Sequence, residues 1–152
     1  MLRTLMVSAA ATAIALAGAT TVMAAETGAA SPDMRRFDGT WGVTLTCDDF
    51  KDEGRGAKGY TFRFLATVQD GKLRGEHGTA GQASWLLYEG TIHGDGSAEI
   101  RATGLTGKPD YVVTHAGPGT RYSYRLKGEF DSVRGRATRL DLRPCVAVFV
   151  KQ

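Results

Sequence analysis

Cysteine is scarce, with 2 in 152 residues. That excludes a small disulfide-dense scaffold, in which bridges stand in for a core. Proline numbers only 4, and the 20 glycines follow no Gly-X-Y period, which excludes a collagen-like chain. Beyond the N-terminal segment no apolar run approaches ~20 residues, so no transmembrane helix is expected there. There is no Cys-x-x-Cys, and His77, His93 and His115 fall at no ligand spacing, so no metal site is expected. Asp48, Asp49, Asp52 and Glu53 lie close together but lack an Asp-x-Asp-x-Asp-Gly pattern, and read as a solvated turn. No Gly-x-Ser-x-Gly elbow occurs, and no carboxylate pair can be assigned to glycoside chemistry. Nothing positive identifies an enzyme, and no cofactor is expected.

What is present is globular. Hydrophobic residues make up 42% and charged residues 23% of the chain, too apolar for disorder and long enough for one domain. Residues 1–24 read as a signal peptide: Arg3 in the n-region, an uncharged Ala-rich run from Leu5 to Ala19, and Val22-Met23-Ala24 before the cut. Cleavage is expected after Ala24, with Ala25 as second choice; the competing reading is an uncleaved anchor helix. Residues 25–33 read as a disordered lead-in and 34–152 as the folded domain, periplasmic or secreted. The mature chain then carries 18 basic against 16 acidic residues, a net charge of +2.

Period-two alternation dominates the domain. Trp41, Val43, Leu45 and Cys47 share one face, and so do Tyr60, Phe62, Phe64, Ala66 and Val68. Tyr122, Tyr124, Leu126, Gly128 and Phe130 form a third such face. The predicted strands are 39–47, 59–69, 72–77, 84–92, 97–103, 110–115, 120–130 and 133–140, with a terminal piece at 145–151. Asp70-Gly71 and Asp95-Gly96 supply hairpin turns, and Gly107-Lys108-Pro109-Asp110, Gly117-Pro118-Gly119 and Asp131-Ser132 break other pairs.

Export makes Cys47 and Cys145 meaningful, because two cysteines in an oxidising compartment allow one intramolecular bridge. Two free buried thiols are the alternative. A bridge would lay the first and last strands side by side, the seam of a closed barrel. The expected fold is therefore all-β, a single closed antiparallel up-and-down barrel of about eight strands, since closure removes unpaired edges. A two-sheet sandwich is the competing architecture.

Phe37-Asp38-Gly39-Thr40-Trp41, followed by Asp70-Gly71-Lys72-Leu73-Arg74-Gly75, resembles the opening of avidin and streptavidin; a Gly-x-Trp opening also occurs in lipocalins. The likeness spans roughly half the mature chain on short motifs, and it implies a calycin-like barrel without shared function. The whole chain is similar to small exported bacterial barrel proteins without assigned activity. That likeness rests on Asp38-Gly39-Thr40-Trp41, the paired cysteines, Arg143-Pro144-Cys145 and the Phe149-Val150-Lys151-Gln152 terminus. Biotin is not expected as ligand. Val43 stands where avidins place a polar contact, His77 where they place a tyrosine, and Trp41 and Trp85 are the only tryptophans.

Trp41 is expected to plug one end of the barrel; Arg143 or another late-strand arginine stacked over it would resemble the lipocalin arrangement. Tyr60, Phe62, Trp85, Tyr122 and Tyr124 are candidate walls of an interior ligand cavity, with Phe64 and Tyr88 beside them. The alternative is a filled core, for which eight strands are narrow enough. Residues 121–143 hold seven basic and three acidic side chains, a net +4. Arg121, Arg125, Lys127, Arg134 and Arg136 could form a cationic stripe facing lipopolysaccharide, phospholipid, an acidic glycan or an acidic protein, and Arg139 is expected to extend it. A solvated outer face is the plainer reading, and nucleic acid is not expected.

Two functions remain. One is a monomeric, non-catalytic exported barrel binding a small apolar or amphipathic ligand, or an envelope partner. The other is a filled structural or inhibitor-like protein acting through its surface.

Overall fold

The computed structural model describes residues 32–152; the expected signal over 1–24 and nearly all of the lead-in lie outside the described residues. A short helix α1 (Pro32–Arg35) precedes ten strands. These are β1 (Gly39–Cys47), β2 (Phe50–Asp52), β3 (Arg55–Ala57), β4 (Tyr60–Gln69) and β5 (Lys72–His77). They continue with β6 (Leu86–Ile92), β7 (Ser97–Leu105), β8 (Arg121–Phe130), β9 (Arg134–Arg139) and β10 (Cys145–Lys151). Eight of them close an antiparallel barrel in the order β1-β10-β9-β8-β7-β6-β5-β4. Every barrel strand thus has two neighbours, and the barrel has no open edge.

The seam forms where the cysteines imply it. β1 pairs with β10 from Trp41 opposite Lys151 to Cys47 opposite Cys145. The two sulfurs are bonded at 2.08 Å. Alternation carries through the strands: β1 buries Trp41, Val43, Leu45 and Cys47 and turns Thr44 and Thr46 outward. The hairpins follow their turn residues. Asp70 and Gly71 both take positive φ (49° and 74°) between Gln69 and Lys72, as a two-residue turn between twisted strands requires. At the β8–β9 turn, Asp131 Oδ1 accepts from the backbone N–H groups of Val133 (2.8 Å) and Arg134 (2.6 Å).

Two segments differ from the predicted strands. Residues 110–115 are not a strand; a 3-10 turn at Pro109–Tyr111 opens a strap that joins β7 to β8 across one barrel end. Pro109 has no N–H for a ladder, and the segment bonds within itself: Tyr111 to Lys108, Val112 to Pro109 and His115 to Val112. The acidic segment at 48–53 instead runs into the β2–β3 hairpin, with Glu53 and Gly54 at its turn in positive φ. Local turn chemistry closed it where composition suggested only solvated loop.

The core fills one end of the barrel. Phe37, Trp41, Phe130 and Phe149 are buried together, with Phe130 edge-on to Trp41 at 5.5 Å and tilted against Phe149 at 4.9 Å. Small residues admit the rings: a Cβ on Gly135 would lie 2.4 Å from the Phe130 ring, and one on Gly75 would lie 3.1 Å from Phe64. The Trp41 indole N–H donates to the Phe37 carbonyl at 2.9 Å, which fixes the plug. The cation over Trp41 is Lys151, at 5.7 Å from the ring centre, and not Arg143. Antiparallel pairing explains the difference. With Cys145 opposite Cys47, the residue two before Cys145 must sit beyond the end of β1, at the barrel end remote from Trp41.

Candidate functional site

The other end is open. Above the buried Tyr88 lies a recess of about 550 Å³ at the barrel mouth. Its walls come from alternating positions that point inward: Tyr60 and Phe62 at the start of β4, Tyr122 and Tyr124 at the start of β8, and Arg139 at the end of β9. The strap supplies the rim, with Val113 buried in it and Tyr111, Val112 and Thr114 facing the recess. Thr106 holds the strap's return: its hydroxyl donates to Gly117 O at 2.5 Å and accepts from Thr120 N–H at 2.9 Å.

Aromatic surface dominates. The Tyr122 and Tyr124 rings are parallel within 4° at 6.1 Å, and Phe62 packs on Tyr60 at 4.8 Å and stacks on His77 at 4.0 Å. A Cβ on Gly104 would meet the Tyr122 hydroxyl at 2.5 Å, so only glycine allows that ring to lie against β7. The Tyr88 and Tyr124 hydroxyls face each other at 3.4 Å. Burial pushes the phenols of Tyr60, Tyr88, Tyr122 and Tyr124 up from their ordinary value. At Tyr60 the cations Arg143 and Arg139 oppose that rise. All four phenols are therefore uncharged at neutral pH and offer hydroxyl donors.

Two guanidinium groups complete the mouth. Arg143, 2% exposed, sits over the Tyr60 ring at 5.0 Å and ties three loops together. Its Nε and Nη2 donate to Asp48 O (3.0 and 2.7 Å), Nη1 to Tyr111 O (2.9 Å), and Nη2 also to Lys58 O. Burial pulls its pKa down. Arg139 lies over the Tyr124 ring at 4.2 Å, and its Nε donates to Asp141 Oδ1 at 2.7 Å.

The structure brings together Tyr60, Phe62, Tyr122 and Tyr124, but not Trp85. Trp85 precedes inward-facing Leu86, so alternation turns it outside, where its indole N–H donates to Glu76 Oε1 at 2.6 Å. Arg139, expected to extend the outer cationic stripe, is instead in phase with inward Gly135 and Ala137 and points into the mouth. That phase was readable from the sequence. The role of Arg143 as a latch was not, because its three carbonyl partners come from loops far apart in the chain.

Of the outer cations, Arg121 lies at the rim of the recess, while Arg125, Lys127, Arg134 and Arg136 lie on the outer wall of β8 and β9. Glu99 stands opposite Lys127 and Glu129 opposite Arg136, whereas Arg101 stands opposite Arg125. Acidic residues thus face two of these cations, while Arg125 faces another arginine. Among the described residues no three His, Cys, Asp or Glu side chains come together as a metal cage, and no helix is long and apolar enough to cross a membrane. Comparison with protein-family models, with curated proteins and with solved structures finds no match to this chain.

Proposed function

We propose that this protein is an exported, non-catalytic binding barrel that holds a small amphipathic molecule in its mouth. The observation that carries this reading is the recess of about 550 Å³, walled by Tyr60, Phe62, Tyr122 and Tyr124 above a solid aromatic floor. That volume lies within the range of roughly 300–1,000 Å³ common to small-molecule sites, and aromatic faces with a few polar tips are their usual lining. The closed barrel and its disulfide hold the walls in place, so little ordering is required on binding. Export rests on the N-terminal segment and agrees with the bridge. Outward charges such as Arg63, Arg74, Glu89 and Arg101 suit a wall facing water rather than lipid.

The test uses a neutral naphthalene carboxamide as probe. It should raise the melting temperature and titrate at one site by calorimetry, and Tyr122→Ala should remove most of that binding. Native mass spectrometry of protein recovered from its own compartment should show a co-purifying small mass. No stabilisation by the probe or by an apolar extract, together with no bound mass, would leave a structural or surface-acting barrel instead.

A further inference from the structure

Resting on the mouth as a ligand site, the geometry points to a ligand with an anionic head: an apolar or aromatic acid whose carboxylate pairs with Arg139. Four residues that line the recess are cationic (Lys108, Arg121, Arg139 and Arg143), and among the described residues no aspartate or glutamate lines it. A pocket with apolar walls and one sign of charge focuses that field on whatever enters. A neutral ligand would leave the imbalance uncompensated, and a cationic one would oppose it.

Arg139 is the group placed to make the contact. Its side chain is 15% exposed, lies over the Tyr124 ring at 4.2 Å and is bonded through Nε to Asp141, so its orientation is set before any ligand arrives. Only Nε is engaged, by Asp141; among the described residues neither terminal nitrogen has a hydrogen-bond partner. A guanidinium edge with free N–H groups matches the two oxygens of a carboxylate. Asp141 is 57% exposed and keeps its own access to water, so it orients Arg139 without filling the recess. Arg143 differs: its nitrogens are committed to the carbonyls of Asp48, Lys58 and Tyr111. It adds positive potential but no free bidentate edge. The hydroxyls of Tyr60 and Tyr122, which make no hydrogen bond to the described residues, are neutral donors beside the same space.

The experiment compares a naphthalene carboxylate with its neutral carboxamide by calorimetry, on the native protein and on Arg139→Gln and Asp141→Asn. A medium-chain fatty acid and its alcohol form a second pair, which separates an aromatic acid from an acyl one. The native protein should prefer the acid of at least one pair by tenfold or more, and the preference should shrink as salt rises. Arg139→Gln should abolish the preference. Asp141→Asn, an exposed change whose amide oxygen can still accept from Nε, should tighten the acid several-fold by removing the competing negative charge, with no effect on the neutral partner. Equal affinity for acid and neutral forms in the native protein, or an acid preference that survives Arg139→Gln and ignores Asp141→Asn, overturns the assignment while leaving the mouth a ligand site. If no member of either pair binds, the ligand-site reading fails and takes this one with it.

Discussion

Replacing Arg143 by methionine should open the mouth while leaving the barrel closed. Methionine keeps an unbranched apolar stem over Tyr60 and removes only the guanidinium. The change leaves three carbonyls, of Asp48, Lys58 and Tyr111, without their donor. A stranded buried acceptor costs about 1–3 kcal/mol, with the upper figures for groups that water cannot reach. Asp48, Lys58 and Tyr111 are themselves exposed residues although Arg143 is not, so the lower figure is used. The sum is then about 3 kcal/mol, and the desolvation of the lost cation is regained in part. For a domain of this size 1 kcal/mol moves the melting temperature by about 4 °C, which gives a fall of roughly 12 °C.

The position of the loss matters as much as its size. Hydrogen exchange should quicken in residues 107–120 and around Asp48 and Lys58, the segments that Arg143 ties together, and stay slow in β1 and β10. Arg143→Lys should not rescue, because one ammonium cannot serve three separated acceptors as a planar fork does. A melting temperature within about 3 °C of the native value, or exchange that rises evenly through the barrel, would show that Arg143 is not the latch.

Cys145→Ser opens a covalent loop of 98 positions and should lower stability by a few kcal/mol, with about 4–5 as the chain-entropy ceiling, and should leave Cys47 open to thiol reagents after denaturation. Denaturant melts check the first part, and an unchanged midpoint refutes it. Gly135→Ala forces a Cβ into the Phe130 ring and should cost about 1–3 kcal/mol, and Phe130→Leu in the same chain should recover much of it; additive losses in the double variant would contradict the steric cause. The fold favours the protonated forms of Tyr60, Tyr88, Tyr122 and Tyr124, so their contribution is complete below the unfolded phenol pKa near 10 and drains away above it. Each buried phenol then loses about 1.4 kcal/mol per pH unit. Phenolate absorbance from these four of the five tyrosines should therefore appear together with alkaline unfolding; all four titrating near 10 in a folded barrel would contradict their burial.

Architecture was legible because two local signals agree with one long-range constraint. Alternation identifies which face of each strand is buried, Asp-Gly turns identify where strands reverse, and the cysteine pair identifies which two strands meet. The same logic, pressed further, separates Arg139 from Arg136: in a closed barrel a parity is a location, and Arg139 shares the parity of Ala137, itself opposite inward Ala147. It likewise removes Trp85 from the cavity through Leu86, and moves Arg143 away from Trp41 once Cys145 is set opposite Cys47. The strap resisted such reading for a physical reason. Tyr111 and Val113 alternate as in a strand, yet Pro109 cannot join a ladder, and β7 already pairs directly with β8 from Leu105 opposite Arg121. With no vacant neighbour, residues 107–120 had to cross the open end, held by a buried arginine from the far terminus of the chain. The mouth therefore depends on the one segment whose conformation follows from what the closed barrel leaves unoccupied rather than from its own pattern, and that is where sequence variation would retune the ligand without disturbing the barrel.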